Sequence, residues 1–158
     1  MFTIRPYENR DKVAVWNLHN AALRPTGAHA GNGDWDNDLH HIPEVYLETG
    51  GVFLVGLLNG GIVAMGALER KGQGQAEVRR MRVHPDQQRN NFGQLILEQL
   101  EESALQLGLR NLYLETTTLQ ETAQRFYMKN NYRETERKII APFEVIHYEK
   151  TLGTKGEE

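Results

Sequence analysis

The spacing of hydrophobic residues divides the first part of the chain into a strand and a helix. Phe2 and Ile4 alternate with polar neighbours, which predicts a short strand over Phe2–Arg5. From Asn9 to Leu23 the apolar residues recur at helical spacing, and Pro25 ends the pattern. The predicted stripe of this helix consists of Val13, Trp16 and Asn20, with Ala14, Leu18 and Ala21 beside them.

A loop and a second, short helix are predicted next. Residues 24–38 are rich in Gly, Asn and Asp, a composition typical of irregular loops. The apolar residues that follow have helical spacing and end near Thr49, before a pair of glycines. They are Leu39, Ile42, Val45 and Tyr46.

Two apolar runs on either side of Asn59-Gly60-Gly61 predict a β-hairpin. Its arms cover Val52–Leu58 and Ile62–Glu69, and both are almost continuously hydrophobic. Both faces of the sheet are therefore expected to be covered. A turn over Lys71–Gln75 then leads into a further antiparallel strand at about Ala76–Val83.

This further strand changes phase along its length. Under strict alternation Val78 lies on the opposite face from Met81 and Val83. One extra residue between them restores the pattern, so the sequence predicts a β-bulge. A bulge there would separate the strand from its neighbour and leave backbone groups that can bind an extended ligand.

The segment after Val83 has the features of an anion site. Pro85 ends the strand, a polar turn follows, and Gly93 opens a segment with helical periodicity. Backbone N–H groups converge at such a helix N-terminus, where the helix dipole adds partial positive charge. Gln88 and Arg89 add side-chain donors, and we interpret the segment as a pyrophosphate-binding turn.

The last part of the chain predicts a strand–helix–strand crossover followed by a further helix and two strands. The first of these helices carries one apolar stripe and stops at Gly108, and a strand over Leu112–Thr116 is expected to lie parallel to the preceding one. Thr118-x-x-Glu121 reads as a capping box for the next helix, and Asn130-Asn131 ends that helix in left-handed backbone. The stripe is Phe92, Ile96, Leu100, Ala104 and Leu107, and the last two strands are Arg133–Ile140 and Phe143–Lys150.

Composition and charge exclude several classes of protein. The chain has 158 residues, 39% of them hydrophobic, which predicts one domain over residues 1–152 and a frayed polar tail over 153–158. A net charge of −3 gives no electrostatic reason to expect nucleic acid or an anionic membrane as a partner. No apolar run approaches the roughly 18 residues of a membrane span, and no signal-peptide pattern is present, so a cytoplasmic location is expected. With no cysteine, there is no thiolate nucleophile and no Cys-based metal site.

Three acidic residues at alternate positions, Asp34, Asp36 and Asp38, invite a calcium interpretation. An EF-hand loop starting at Asp34 would need Gly at position 39 and Glu at position 45, where this chain has Leu39 and Val45. No metal is therefore expected.

The order of predicted elements resembles that of the GNAT superfamily of acyl-CoA-dependent N-acetyltransferases, over nearly the whole chain. Three local motifs carry the resemblance. Met81-Arg82-Val83-His84-Pro85 is similar to the end of the family's central strand. Gln88-x-x-Asn91-x-Gly93 resembles its pyrophosphate loop, and Ala123 to Tyr132 resembles its later helix, usually read A-x-x-L/F-Y-x-K-x-G-F/Y.

This resemblance implies a GNAT-like α/β fold: a mixed central sheet of about six to seven strands, splayed between strands 4 and 5, with about four helices. It further implies that acetyl-CoA binds in the splay, with pantetheine against the fourth strand and pyrophosphate at the turn. The residues implied to bind it are Met81, Arg82, Val83, Gln88, Arg89, Asn90, Asn91, Phe92, Gly93, Gln94, Gln120 and Tyr127.

In two places this chain has Asn where the family usually has Gly, at positions 91 and 131. Asn tolerates left-handed backbone better than any residue except Gly, so the backbone conformation is expected to survive. At position 91 the side chain adds bulk where a phosphate would approach.

Direct acyl transfer requires a neutral amine, a polarised thioester carbonyl and a proton for the departing thiolate. Tyr127 matches the family tyrosine that protonates or hydrogen-bonds the sulfur. Glu77 lies where some members carry a catalytic glutamate and is the predicted base, with Glu115 or a water chain as alternatives. His84 has a suitable pKa in principle, but its place beside the phosphate turn favours a structural role or a position near the cofactor.

The resemblance implies an N-acetyltransferase that moves the acetyl group of acetyl-CoA to a primary amine of a small molecule, protein or peptide. Two alternatives remain: a non-catalytic acyl-CoA-binding module and a transferase that uses another acyl-CoA. The loop over residues 24–41 is expected to set the acceptor, with Asp34, Asp36 and Asp38 attracting a cationic amine and Trp35 offering a stacking surface. A homodimer is expected only at the level of the family.

Overall fold

The strands and helices match the predicted order, within the residues that the computed structural model describes, 1–23 and 33–153. Residues 24–32 of the predicted loop and 154–158 of the predicted tail lie outside this description. The strands are β1 (Phe2–Pro6), β2 (Val52–Leu58), β3 (Gly61–Gly72), β4 (Gln75–Val83), β5 (Asn111–Thr117), β6 (Arg133–Ile140) and β7 (Phe143–Thr151). The helices are α1 (Lys12–Leu23), α2 (Phe92–Gln106) and α3 (Glu121–Lys129), with short helical turns at Asn9–Asp11, Asp34–His40, Pro43–Leu47 and Pro85–Gln87.

The strands form a mixed sheet in the order β1-β2-β3-β4-β5-β7-β6. Neighbours are antiparallel except β4 and β5, which are parallel because α2 crosses over between them. The last strand, β7, inserts between β5 and β6, so β6 lies at the edge. The predicted α/β fold with a mixed sheet is confirmed.

Apolar residues cover both faces of the sheet, as the continuous hydrophobicity of the hairpin predicts. On one face α2 packs its stripe against the inner strands. On the other face α1 and the segment 34–47 pack against β2 and β3. The fully buried side chains include Ile96, Leu100 and Leu112 on the first face, and Leu39, Tyr46 and Phe53 on the second.

The predicted bulge lies in β4. Met65 pairs with Arg82 and Ala67 pairs with Arg79, so that two residues of β4 oppose Gly66 alone. One of them, Arg80, has a left-handed backbone with φ 58. A Cβ on Gly66 would lie 2.6 Å from Met81 Sδ, so a glycine is required where the bulge packs beneath α2.

Two local predictions are wrong. In α1 the buried residues are Val15, Leu18, His19, Asn20 and Ala22, so the predicted stripe is right for Asn20 and wrong for Val13, which is 71% exposed. The buried face also includes His19, a polar residue that the predicted stripe left out.

The predicted capping box at Thr118 is absent, because the N-cap of α3 is Gln120. The backbone N–H of Thr118 donates instead to the carbonyl of Glu144, 3.0 Å away. Thr118 thus lies in the turn after β5, where its backbone binds the last part of the chain, and not in the helix.

Candidate active site

A wedge-shaped gap opens between the parallel strands β4 and β5. The two strands pair only at Gln75–Asn111, Ala76–Leu112 and Glu77–Tyr113 and then diverge, so the predicted splay is present. The N–H of His84 donates to the carbonyl of Val63 on β3 at 2.8 Å. Because backbone groups alternate in direction along a strand, those of Met81 and Val83 face the gap.

The outer part of the gap is a groove of about 740 Å³ between the end of β4, the N-terminus of α2 and helix α3. The first hydrogen bond within α2 runs from Leu95 N–H to the carbonyl of Asn91, 3.2 Å. The N–H groups of Phe92, Gly93 and Gln94 therefore have no partner within the helix, which is the usual basis of an anion site. These three residues line the groove.

The turn before α2 keeps the backbone expected of a glycine-containing loop. Asn91 is left-handed with φ 68, and Arg89 with φ 73. At the end of α3, Asn131 is left-handed as well, with φ 71. The prediction that Asn preserves these conformations is confirmed.

The inner part of the gap is a second cleft of about 220 Å³, which shares five lining residues with the groove. The residues that line both spaces are Met81, Arg82, Gln120, Ala123 and Tyr127. We call this set the junction. An extended ligand lying in the groove would bring one end to the junction. A second ligand could reach the junction from the cleft.

Tyr127 is buried at the junction. Its ring makes edge contacts with Phe126 at 5.2 Å and Tyr132 at 5.6 Å. Burial raises the pKa of its phenol above the ordinary 10, while the charge of Arg82 acts in the opposite direction. The hydroxyl is therefore protonated at neutral pH.

The sequence of residues 13–132 matches the model of the Acetyltransferase (GNAT) family. The chain belongs to this family. This assignment agrees with the order of its strands and with its wedge.

Similar proteins agree with this assignment. An "IAA acetyltransferase" of Azospirillum brasilense is 35% identical over 83 residues, 52% of this chain and 54% of that protein, so the match spans about half the length of that relative. A GNAT-family acetyltransferase structure from Staphylococcus aureus Mu50 superimposes with TM-score 0.89 at 21% identity, covering 97% of this chain and 100% of the other. YncA from Salmonella typhimurium, solved with its cofactor acetyl-CoA, gives TM-score 0.78 at 21% identity, covering 96% and 94%.

The two predicted bases of this GNAT chain have different surroundings. Glu77 is the last residue of β4 that pairs with β5, and its carboxylate lies 3.7 Å from Lys71. Burial raises its pKa, an effect that the nearby positive charges of Arg79 and Lys71 only partly offset. Glu115 forms an ion pair with Lys138 at 3.2 Å and lies 3.7 Å from Nδ1 of His147, so its carboxylate already has partners within the protein.

Other predicted residues have mainly local partners. The Nδ1 of His84 accepts the N–H of Asp86 at 3.1 Å and so caps the turn, a structural role. The Oε1 of Gln120 accepts the N–H of Thr117 at 3.0 Å while the residue lines both spaces.

The predicted cofactor residues of β4, the turn and α2 line the groove, with one exception. Gln88 and Arg89 are exposed side chains on its rim. Asn90 bonds the side chain of Gln87 at 3.1 Å and does not line the groove. Gln94 lines the groove and bonds Asn130 at 2.8 Å.

Two of the three alternating acidic residues are not available to attract an amine. Asp36 is 2% exposed and lies 3.0 Å from Nε2 of the buried His19. Asp38 pairs with the guanidinium of Arg80 and accepts the hydroxyl of Tyr46. The structure therefore gives Asp36 and Asp38 partners within the protein in place of the predicted cationic amine, and the side chain of Asp34 lies outside the described structure.

The sequence reasoning missed His19 and the side chain of Arg82. The Nε of Arg82 donates to Nδ1 of His19 at 3.4 Å, across 63 residues of chain. Arg82 lies in a predicted motif for its backbone, but no local pattern indicates the contact between the two side chains, because they are distant in sequence.

The helices in the described part of the chain are all too short or too polar to span a membrane.

Proposed function

We propose that this GNAT chain is an N-acetyltransferase that moves the acetyl group of acetyl-CoA to a primary amine by direct attack in a ternary complex. The observation that carries the proposal is the position of Tyr127, a buried and protonated phenol at the junction of the groove and the cleft. The YncA structure, solved with acetyl-CoA, supports the choice of co-substrate.

The groove fits an extended ligand that carries a pyrophosphate at one end. The free N–H groups of Phe92, Gly93 and Gln94 would bind phosphate oxygens, with the side chains of Gln88 and Arg89 adding donors at the rim. The backbone of Met81 and Val83 would pair with the pantetheine amides, as a neighbouring strand would. The thioester would then lie at the junction.

The chemistry requires one acid and one base. Glu77, whose pKa burial raises, removes a proton from the incoming ammonium, directly or through water. The amine lone pair forms the N–C bond at the thioester carbonyl carbon, and the nitrogen loses its second proton to Glu77, which has by then released the first proton to solvent. The C–S bond breaks with its electron pair on sulfur, and Tyr127 donates the proton that converts the thiolate to the thiol.

The carbonyl oxygen gains negative charge during this sequence. A backbone N–H that faces the gap, from Met81 or Val83, would be the donor to this oxygen, because β4 and β5 pair only as far as Glu77. No particular side chain is needed for this step.

Thiol release from acetyl-CoA, measured against a panel of primary amines with mass identification of the product, tests the proposal. Acetylation of at least one amine on nitrogen is expected, together with CoA binding by calorimetry. Tight CoA binding without turnover on any amine would instead support a non-catalytic acyl-CoA-binding module. If turnover occurs only with a longer acyl-CoA, that acyl-CoA is the donor in place of acetyl-CoA.

A further inference from the structure

Arg82 is a half-buried cation at the junction, and no carboxylate of the described residues forms an ion pair with it. It lines both the groove and the cleft. Its neighbours on β4 are neutralised, because Arg79 pairs with Glu69 at 2.8 Å and Arg80 pairs with Asp38. Within residues 1–23 and 33–153, no carboxylate forms an ion pair with Arg82.

Two hydrogen bonds fix the guanidinium in place. Its Nη1 donates to the carbonyl of Met81 at 2.8 Å, and its Nε donates to Nδ1 of His19 at 3.4 Å. His19 is 0% exposed, and its Nε2 lies 3.0 Å from Asp36 Oδ1. Because Nε2–H donates to Asp36, Nδ1 is free of hydrogen and can accept from Arg82.

The charged and titratable groups around Arg82 come from every element packed against it. They are His19 from α1, Asp36 and Asp38 from the turn at 34–40, Arg80 from β4 and Tyr127 from α3. Burial, reinforced by the charge of Arg80, lowers the pKa of Arg82 to about 10, so it remains protonated at neutral pH. A half-buried charge that has hydrogen bonds but no ion pair is only partly compensated, which indicates that a negative charge arrives during function.

We propose that Arg82 is a catalytic residue that stabilises negative charge on the departing CoA sulfur, and that His19 and Asp36 are positioning residues for its guanidinium. The inference rests on the proposed function, which places the sulfur beside Tyr127. When the C–S bond breaks, the electron pair moves to sulfur, and the guanidinium stabilises this thiolate. Once Tyr127 has given its proton to sulfur, the same charge stabilises the tyrosinate; Arg82 itself transfers no proton.

The ionisation of enzyme-bound CoA tests this role without knowledge of the acceptor. The thiolate fraction is measured by its ultraviolet absorbance over a pH series, in the wild type and in Arg82→Met, Arg82→Lys and His19→Gln. We expect the thiolate fraction at a fixed pH to fall about tenfold or more in Arg82→Met, since a nearby opposite charge shifts a pKa by about one to three. Arg82→Lys keeps the positive charge, so its thiolate fraction is expected to fall less. His19→Gln removes only one hydrogen-bond partner of the guanidinium and is also expected to give a smaller decrease.

Calorimetry of CoA binding and circular dichroism accompany each variant, so that loss of folding is separated from loss of charge. Should Arg82→Met fail to fold, Arg82→Lys and His19→Gln provide the comparison. With an active acceptor, kcat is expected to fall about 10²-fold in Arg82→Met, while KM for acetyl-CoA stays within about threefold.

The outcomes separate the two proposals. If the wild type does not bind CoA, the proposed function fails, and this inference fails with it. If CoA binds and its thiolate fraction is the same in the wild type and Arg82→Met, the inference alone is overturned, and a carboxylate on the acceptor becomes the better partner for Arg82. A purely structural role would lower the unfolding free energy without changing the ionisation of the bound thiol.

Discussion

Tyr127 and Tyr132 are neighbouring buried tyrosines whose hydroxyl groups have different surroundings. The hydroxyl of Tyr132 donates to Glu101 at 2.8 Å, and Lys150 also binds that carboxylate. Tyr127 instead lines the groove and the cleft. The first hydroxyl therefore belongs to packing between α2 and the end of α3, and the second is available for chemistry.

Replacing each tyrosine by phenylalanine separates these roles. Tyr127→Phe keeps the ring contacts and removes the proton donor, so we expect kcat to fall by about 10² or more with little change in the unfolding free energy. Tyr132→Phe is the matched control, with unfolding free energy lowered by about 1 to 2 kcal/mol and kcat nearly unchanged. Steady-state kinetics and urea unfolding of both variants provide the measurement; full turnover in Tyr127→Phe would remove its proposed role.

Glu77→Gln tests the base. The half-buried carboxylate of Glu77 has a raised pKa, so its loss is expected to lower kcat/KM for the amine by about 10²-fold and to change the acid side of the pH–rate profile. Glu115→Gln, whose wild-type carboxylate pairs with Lys138 and His147, is the control and should retain most activity. A larger loss in Glu115→Gln than in Glu77→Gln would reverse the assignment.

At the N-terminus of α2, Gly93 leaves space in the groove and is not required for an unusual backbone conformation. A Cβ on Gly93 would lie 3.5 Å from Val83 Cγ2, an ordinary contact, so the fold itself does not require glycine there. The added methyl would, however, stand among the groove residues Val83 and Phe126. Gly66 differs, because its Cβ would lie 2.7 Å from Ile96 Cγ2 in the core.

Gly93→Ala is therefore expected to separate binding from stability. The unfolding free energy should stay the same or rise by up to about 1 kcal/mol, since Ala favours the helix over Gly. The Kd for CoA should rise by about tenfold, equivalent to about 1.4 kcal/mol, because the groove narrows. Calorimetry and chemical unfolding measure the two quantities. Gly66→Ala is the control, and its unfolding free energy should fall by about 1 to 3 kcal/mol through overpacking. An unchanged CoA affinity in Gly93→Ala would contradict the proposed phosphate site.

Across the whole molecule, a buried network of charged and polar groups links α1, the turn at 34–40 and the bulge of β4. It joins His19 to Asp36 at 3.0 Å, and Arg80 to Asp36 at 3.5 Å and to Asp38. Burial lowers the pKa of His19 from 6.5 to about 4, with the charges of Arg82 and Arg80 adding to the effect. His19 is therefore neutral in the folded protein over a range in which it is protonated in the unfolded chain.

This difference makes stability depend on pH. Between pH 6.5 and 4 the unfolded chain binds more protons at His19 than the folded one, so the unfolding free energy decreases as the pH is lowered, by about 3 kcal/mol over the range. For Asp38, burial alone would raise the pKa, but the hydrogen bonds and charge of Arg80 lower it overall, so its contribution is lost at still lower pH.

Urea unfolding at a series of pH values tests the His19 contribution. In His19→Gln the slope of unfolding free energy against pH between 6.5 and 4 should be much shallower than in the wild type, whatever the absolute stability. His41→Gln, at an exposed position, should keep the wild-type slope. An equal slope in all three proteins would contradict a buried neutral His19.

Much of this fold follows from local patterns in the sequence. The hairpin around Asn59-Gly60, the bulge between Val78 and Met81, and the left-handed Asn91 and Asn131 depend on adjacent residues, so periodicity and turn chemistry predict them. The wedge-shaped gap between β4 and β5 is then expected from the bulge in β4.

What the sequence did not predict is held by distant polar contacts. Arg80 reaches Asp38 across 42 residues, and Arg82 reaches His19 across 63. Such pairs leave no periodic signal, and their burial contradicts the usual exposure of charged residues. The family resemblance brought Arg82 into the predicted site for its backbone alone, and the charge of its side chain became informative only in the structure.

The narrow attachment between β4 and β5 has a consequence for the lifetime of the protein. Three residue pairs, from Gln75–Asn111 to Glu77–Tyr113, join the two parts of the sheet directly. Acetyl-CoA bound between the parts would act as a missing strand, and a ligand that binds only the folded state adds about 2.7 kcal/mol at 100 times its Kd. The supply of acetyl-CoA in the cell would then govern how fast proteases degrade this chain, and the co-substrate would also protect the enzyme that consumes it.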